Sequence, residues 1–319
     1  MEWFDELKAL AEAPGVATAC GPVTTVLRRL LTGWAFREVP DGFFLATPAG
    51  TGLGALRLLY VTHVDEVGGW VLFPDEEGRF GTGLIGNRPE AFAGHALQAF
   101  RYDAQDAGET IPCIGEVVGD RLVLRGVDGE GAPPLQPLRM FWTFREELRV
   151  EGDCISGKAL DPRVTVYCAV AAARRLARPD AGLLFCYAEE CSRGPAEKAA
   201  EFCRRSLPAL EVVVNADVPG LQNIAGVAPD EAAIRPLEGR GLIDPVFSLS
   251  LYERLRERGV EVQLAAAASS SETTTFVPLA RAVSVALPSV GVHQARVDMS
   301  VRGMHRCIAL LEAIGELTA

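Results

Sequence analysis

Apolar and polar positions along this 319-residue chain change period twice. Residues 3–13 (WFDELKALAEA) repeat apolar side chains at helical spacing and stop at Pro14-Gly15, which predicts an amphipathic helix; residues 22–33 predict a second. Residues 57–62 (RLLYVT) form a short apolar run of strand type, and His63 follows directly. From 67 to 152 short β-like runs (GWVLF at 69–73, IGEVV at 114–118, RLVL at 121–124) alternate with turn signals at 74–78, 119–120 and 126–129. That spacing predicts a small all-β module. After Asp161 the alternation of strands and helices returns. Helices are predicted at 163–178, 194–205, 245–258 and 298–317, with strands at 183–188, 211–214, 260–265 and 281–287. The biased run from Ala265 to Thr275 reads as a strand end and a loop entering a helix. The order fits an α/β domain, a mostly parallel central sheet flanked by helices, formed by 1–66 and 153–319 and interrupted by a β module over 67–152.

Composition narrows the function classes. About half of the residues are hydrophobic (49%), enough for a full core and a second, smaller one. No apolar run reaches the ~18–20 residues of a membrane span, and the acidic start, MEWFDE, lacks the basic opening of a secretory signal. A net charge of −11 argues against a nucleic-acid surface. Eight cysteines lie scattered without a CxxC pair, several inside apolar runs such as Phe185-Cys186-Tyr187, the pattern of reduced thiols in a cytoplasm.

The candidate chemistry sits at the ends of apolar runs. His63, Glu189-Glu190, Asp217 and His293 each fall at or after the carboxyl end of a predicted strand, the edge where sites gather in open α/β sheets. Asp161 stands where the β module hands the chain back. Two imidazoles and several carboxylates suit a pair of divalent metals, and a carboxylate left over beside them suits a general base. Each residue also has a plainer role. A single histidine after a strand is by default structural, but Asp65 lies two positions beyond His63, on the same side of an extended segment, placed to orient a metal-bound imidazole. Asp161 before Pro162 has the form of a helix N-cap, and Asp217 that of a turn aspartate. Adjacent Glu189 and Glu190 at the end of an apolar strand are costly without a compensating cation. His95, in the β module, and His305, on the final helix, are not assigned to the metals.

The motifs HVDEVG (63–68), SGKALDPR (156–163), EE (189–190), Asp217 and His293, with the opening LKALAEAPGVATACGPVTTVLRRLL (7–31), resemble the tetrahedral-type and glutamyl aminopeptidases. These are dinuclear metallopeptidases with relatives once mislabelled as endoglucanases. The resemblance covers essentially the whole chain. It implies a phosphorylase/hydrolase-like aminopeptidase domain with an inserted β domain used for dimer contacts. It implies metal ligands at His63, Asp161 (bridging), Glu190, Asp217 and His293, with Asp65 orienting His63. Glu189 would be the general base, acting on a water held between two ions, zinc or cobalt, with manganese a further candidate. Small peptides would be the substrates, and homo-oligomers, dimers or dodecamers, the assembly. The chain departs from the family at Pro162, at Cys191-Ser192-Arg193-Gly194, and at Glu272-Thr273 in place of a late Thr-Asp pair. Two other readings stand beside the peptidase: a related deacylase of N-acyl compounds, and a non-catalytic paralogue acting as a binding or assembly subunit.

Overall fold

The computed structural model describes residues 2–106, 110–127, 134–239 and 241–318. Helices α1 (Glu2–Glu12) and α2 (Gly21–Leu30) open the chain, followed by β1 (Trp34–Val39), β2 (Phe43–Pro48) and β3 (Leu58–His63). Next come β4 (Gly68–Pro74), β5 (Phe80–Ile85), β6 (Ala96–Arg101), β7 (Thr110–Val118), β8 (Arg121–Gly126) and β9 (Met140–Phe144). Strands β10 (Arg149–Glu151) and β11 (Cys154–Gly157) then lead into α3 (Leu160–Leu176). Beyond it lie β12 (Ala181–Cys186), α4 (Gly194–Ser206), β13 (Val212–Asp217), β14 (Ile224–Ala225), β15 (Ala233–Glu238), β16 (Gly241–Leu242) and α5 (Pro245–Glu257). The last elements are β17 (Gln263–Ala267), α6 (Thr273–Phe276), β18 (Arg281–Ala286), β19 (Val297–Ser300) and α7 (Val301–Leu317).

A ten-stranded sheet runs in the order β1-β2-β12-β3-β13-β18-β15-β17-β14, with β16 beside β15. The expected mostly parallel sheet is a mixed one. Its middle strands β12, β3, β13 and β18 are parallel, as are β15 and β17; β1–β2, β2–β12, β15–β18 and β14–β17 are antiparallel. The cause is connection length. A helix returns the chain between the parallel strands, whereas the tight turn between β1 and β2 permits only antiparallel pairing. The hairpin β1–β2 and strand β15 were not predicted at all.

Side chains of β3 alternate between two helical layers. Leu58 and Tyr60 pack with Leu7, Leu10, Val164, Ile308 and Leu311, and the Tyr60 hydroxyl donates to the Leu311 carbonyl at 2.9 Å. Leu59 and Val61 face the other way, against Ala199, Cys203 and Phe276. The expected β texture after residue 67 closes as a barrel in the order β4-β5-β8-β7-β6-β9 around Val71, Phe92, Leu97, Leu124, Trp142 and Phe144. Strand β10 pairs instead with β11, and β11 with β19, in a separate three-stranded sheet. The turn signal at Asp128-Gly129 lies outside the described residues.

Two boundaries moved for local reasons. The strand expected at 260–265 begins at Gln263, because Gly259 (φ 75°) and Val260 fold back to close α5, Val260 N donating to the Leu255 carbonyl at 3.0 Å. The helix expected from 298 begins at Val301. Residues 297–300 pair with β11 first, and Ser300 then caps the helix by accepting from Gly303 N.

Barrel, sheet and N-terminal helices meet on one buried carboxylate. Glu66 Oε1 accepts from Lys158 Nζ at 2.6 Å and Gly15 N at 3.2 Å, with Arg163 Nη2 3.6 Å away; Oε2 accepts from Thr143 of β9 at 2.8 Å. Arg163 in turn donates to the carbonyls of Leu10 and Ala13. Burial lowers the pKa of both Lys158 and Arg163, and Glu66 opposes it. Gly15 is required here, since a Cβ would come within 2.8 Å of Val23 Cγ2 and 2.9 Å of Arg163 Nη2. Removing one partner leaves a buried charge uncompensated. Lys158→Met is expected to lower the unfolding free energy by about 3 kcal/mol. Urea titration measures it, and an unchanged midpoint contradicts the role given to this cluster.

Candidate metal centre

Five stretches of chain deliver the acidic and imidazole groups to the carboxyl edge of the parallel strands. His63 is the last residue of β3, and Asp217 the last of β13. Glu189 and Glu190 follow β12 in a turn, and Asp161 lies in the first turn of α3. His293, expected at a strand end, stands on the loop between β18 and β19 with a left-handed backbone (φ 63°). Its carbonyl accepts from Asn87 Nδ2 at 2.5 Å, so the loop is held by the barrel.

Asp161 lies between the two imidazoles. Its Oδ1 is 3.5 Å from His63 Nε2 and its Oδ2 is 3.6 Å from His293 Nε2. Asp161 holds the extended backbone of an N-cap position ahead of Pro162 (φ −88°, ψ 110°), but no side-chain hydrogen bond caps α3, so the capping role expected of its carboxylate is not filled. Its buried Oδ1 receives no hydrogen bond. Asp217 Oδ1 lies 3.7 Å from His63 Nε2, and Glu190 Oε2 lies 3.1 Å from His293 Nε2. Two clusters result, His63–Asp161–Asp217 and Asp161–Glu190–His293, each with ligand atoms within 4.8 Å of one another and sharing Asp161. An unbonded buried carboxylate oxygen and clustered imidazole and carboxylate donors fit divalent cations.

Asp65 is fully buried and does two things. Its Oδ1 lies 3.3 Å from His63 Nδ1, which leaves Nε2 aimed at Asp161 and Asp217. It also accepts from the backbone N–H groups of Glu189 (2.9 Å) and Glu190 (3.1 Å), pinning the turn that carries both glutamates. Burial works against a charged His63, but the facing carboxylates of Asp161, Asp217 and Asp65 outweigh it and push its pKa up. Burial raises Glu189 to about 7; Asp217, Asp65 and Asp161 add to the rise, and His63 opposes it. Glu190 is raised as well, by burial and then by Asp161.

Three neighbours escaped the sequence reading as parts of the site. Arg235 of β15 is fully buried and donates to Asp217 Oδ2 at 3.3 Å. Asn87 holds the His293 loop. Glu272, noted only as a departure, is buried beside Cys186. Its pKa rises to about 8, by burial above all, with Glu189 and Asp65 adding and His63 opposing. The altered segment 191–194 is also anchored, since Arg193 donates to Thr274 Oγ1 and to the Ser271 carbonyl. His95 and His305 belong to neither cluster.

Fold and clusters together form a candidate metal centre at the edge of a mixed α/β sheet. The sequence profile of the M42 glutamyl aminopeptidases matches residues 139–310, just over half of the chain, and the chain belongs to that family. The family resemblance is thereby established; SGKALDPR, Glu189-Glu190, Asp217 and His293 lie within the matched residues, and HVDEVG lies before them. The fold is similar to that of the TET1 peptidase of Pyrococcus horikoshii, which can assemble into a tetrahedron or a large octahedral shell (TM-score 0.80, 15% identity, 98% of each chain covered). It is similar to an aminopeptidase of the archaeon Desulfurococcus kamchatkensis (TM-score 0.80, 16% identity, 98% of this chain and 94% of that one). A Thermotoga maritima protein described as an endoglucanase also shares it (TM-score 0.72, 14% identity, 98% and 99% covered). No curated protein matches.

Asp65→Asn replaces one accepting oxygen by an amide that cannot accept. One of the Glu189 and Glu190 N–H groups, which bond to different oxygens of Asp65, is expected to lose about 1–3 kcal/mol of hydrogen-exchange protection, read by mass spectrometry over 188–191. Unchanged exchange there contradicts the pinning role.

Proposed function

We propose that the protein is an aminopeptidase that removes N-terminal residues from small peptides with two divalent cations per subunit, zinc or cobalt first and manganese next. The observation that carries this reading is the placement of Asp161, with one carboxylate oxygen toward each imidazole. His63 and Asp217 would hold one ion with Asp161, and Glu190 and His293 the other with the same Asp161. When bound, the cations supply Lewis acidity toward the peptide carbonyl and acidify water.

The chain's own groups supply the rest. Glu189 is the group left over: it belongs to neither cluster, yet its backbone is fixed by Asp65 beside them. It takes a proton from the attacking water and hands it to the leaving amine. Asp65 is the positioning residue that orients the His63 ring. The site carries five carboxylates (Asp65, Asp161, Glu189, Glu190, Asp217) and two imidazoles, so negative charge remains to hold a protonated substrate α-amine. That surplus favours free-amine peptides over N-acyl substrates, and so the peptidase over the deacylase.

The barrel, within the module spanning 67–152, would be the dimerisation domain. Trp70 and Phe73 of β4, Tyr102 after β6 and Leu138 before β9 are all exposed, and their strands are neighbours through β9. An exposed aromatic patch of this kind supports pairing with a second copy. Tetrahedral or octahedral assembly of the P. horikoshii enzyme makes a larger homo-oligomer the next candidate. Among the described residues no helix is long and apolar enough to cross a membrane. Eight unpaired cysteines support a reducing, cytoplasmic setting.

Two outcomes test the proposal. Metal-loaded protein is expected to cleave free-amine aminoacyl amides and spare their N-acetyl forms, and Glu189→Gln to lower kcat by about 10²–10⁴-fold while bound metal stays constant. Cleavage restricted to N-acyl substrates would move the assignment to a deacylase, and silence with zinc, cobalt and manganese alike to a binding subunit. For the assembly, Phe73→Glu is expected to reduce the mass measured by light scattering toward the monomer; an unchanged mass counts against the barrel as the interface.

A further inference from the structure

Arg235 is a buried cation placed directly behind a residue assigned to bind a cation. It occupies β15 with no exposed surface, and its guanidinium is held from three sides. Nε donates to Ser284 Oγ of β18 at 2.9 Å, while Nη2 lies 3.1 Å from Glu238 Oε1 and 3.3 Å from Asp217 Oδ2. Glu238 is itself locked. It accepts from Ser284 Oγ, from Ser271 Oγ at 2.8 Å, and from Ser271 N at 2.9 Å. The guanidinium is therefore fixed by the sheet, independently of Asp217.

This arrangement divides the two oxygens of Asp217. Oδ2 faces Arg235, whereas Oδ1, which accepts from Val218 N at 2.8 Å, points toward His63 Nε2, 3.7 Å away. Positive charge beside a cation site opposes metal binding by simple repulsion, so Arg235 needs a compensating role there. A guanidinium donating to one carboxylate oxygen takes up one of its lone pairs and fixes its orientation, which disfavours a grip on an ion with both oxygens. Small ions of low coordination number, zinc above all, accept single carboxylate oxygens. Larger, oxygen-seeking ions gain from bidentate carboxylates and higher coordination numbers.

We infer that Arg235 is a metal-selectivity residue: by holding Oδ2 it limits Asp217 to one ligand oxygen, and so biases the His63–Asp161–Asp217 position toward zinc and cobalt over manganese. The inference rests on the two-ion reading above. It adds a determinant outside the ligand set, on a strand that supplies no ligand.

The test uses the full-length protein and Arg235→Met, with Arg235→Lys as a second variant that keeps the positive charge. Each is equilibrated with competing zinc and manganese, and bound metal is counted by elemental analysis. The cobalt form of each is read by visible absorption, which weakens as coordination number rises. Arg235→Met is expected to raise the manganese-to-zinc ratio by about tenfold or more, in line with the effect of residues that orient metal ligands, and to weaken the cobalt bands. Arg235→Lys is expected to lie between Arg235→Met and wild type. An unchanged ratio and spectrum in both variants, with wild type binding two ions, overturns the inference and leaves the two-ion reading standing. Wild type binding no ion overturns both. If Arg235→Met fails to fold, the Lys variant decides alone: a wild-type ratio and spectrum there overturn the inference.

Discussion

Asp65 and Glu66, consecutive residues just past the end of β3, are the joint between scaffold and chemistry. Glu66 faces the scaffold. Its carboxylate gathers Lys158 and Arg163 from around the start of α3, Gly15 from between the first helices and Thr143 from the barrel. Asp65 faces the chemistry, orienting His63 and holding the turn of Glu189 and Glu190. Burying two adjacent carboxylates is tolerable only because each is fully engaged. The same few ångströms of backbone therefore fix where the barrel meets the sheet and where the reactive groups sit. Displacing this turn would move both.

How much of this was legible from the sequence follows from the range of the interactions involved. Buried strands such as LLYV and LLFC announce themselves as continuous apolar runs, and the β texture after residue 67 shows in its short runs and turns, whereas its closure into a barrel depends on pairings between distant strands and was not predicted. Asp65 was legible because residues two apart on an extended segment share a side, a purely local rule. Arg235 was not. An Arg-Pro step reads as surface or turn, and its burial depends on Ser284 and Asp217 arriving from two other strands, with Glu238 three residues on along β15. Strand β15 was missed for the same reason, and the β1–β2 hairpin because its outer strand alternates half-buried and exposed positions at the sheet's edge. The N-cap reading of Asp161 went wrong where local and distant demands conflict: local preference favours capping, while two imidazoles from distant segments claim the carboxylate.

The electrostatics of the site follow from that convergence. Five carboxylates converge in a partly buried space; burial first, with repulsion from the neighbouring carboxylates adding to it, raises the pKa of Glu189 and Glu190. Asp217 departs from its neighbours: burial opposes its charge, yet His63 and Arg235 outweigh burial and hold it below the ordinary carboxylate range. A site so charged is an incomplete structure without cations. Under the proposed function, the same deficit that would draw divalent metals would also draw a substrate's free α-amine.

The central claim is that two divalent cations share the Asp161 carboxylate. Anomalous X-ray diffraction from crystals equilibrated with zinc tests it most directly. The account predicts two peaks about 3.5–4 Å apart, one on the His63 and Asp217 side of Asp161 and one on the Glu190 and His293 side. A single peak remote from Asp161, or none in zinc-saturated crystals, would contradict it.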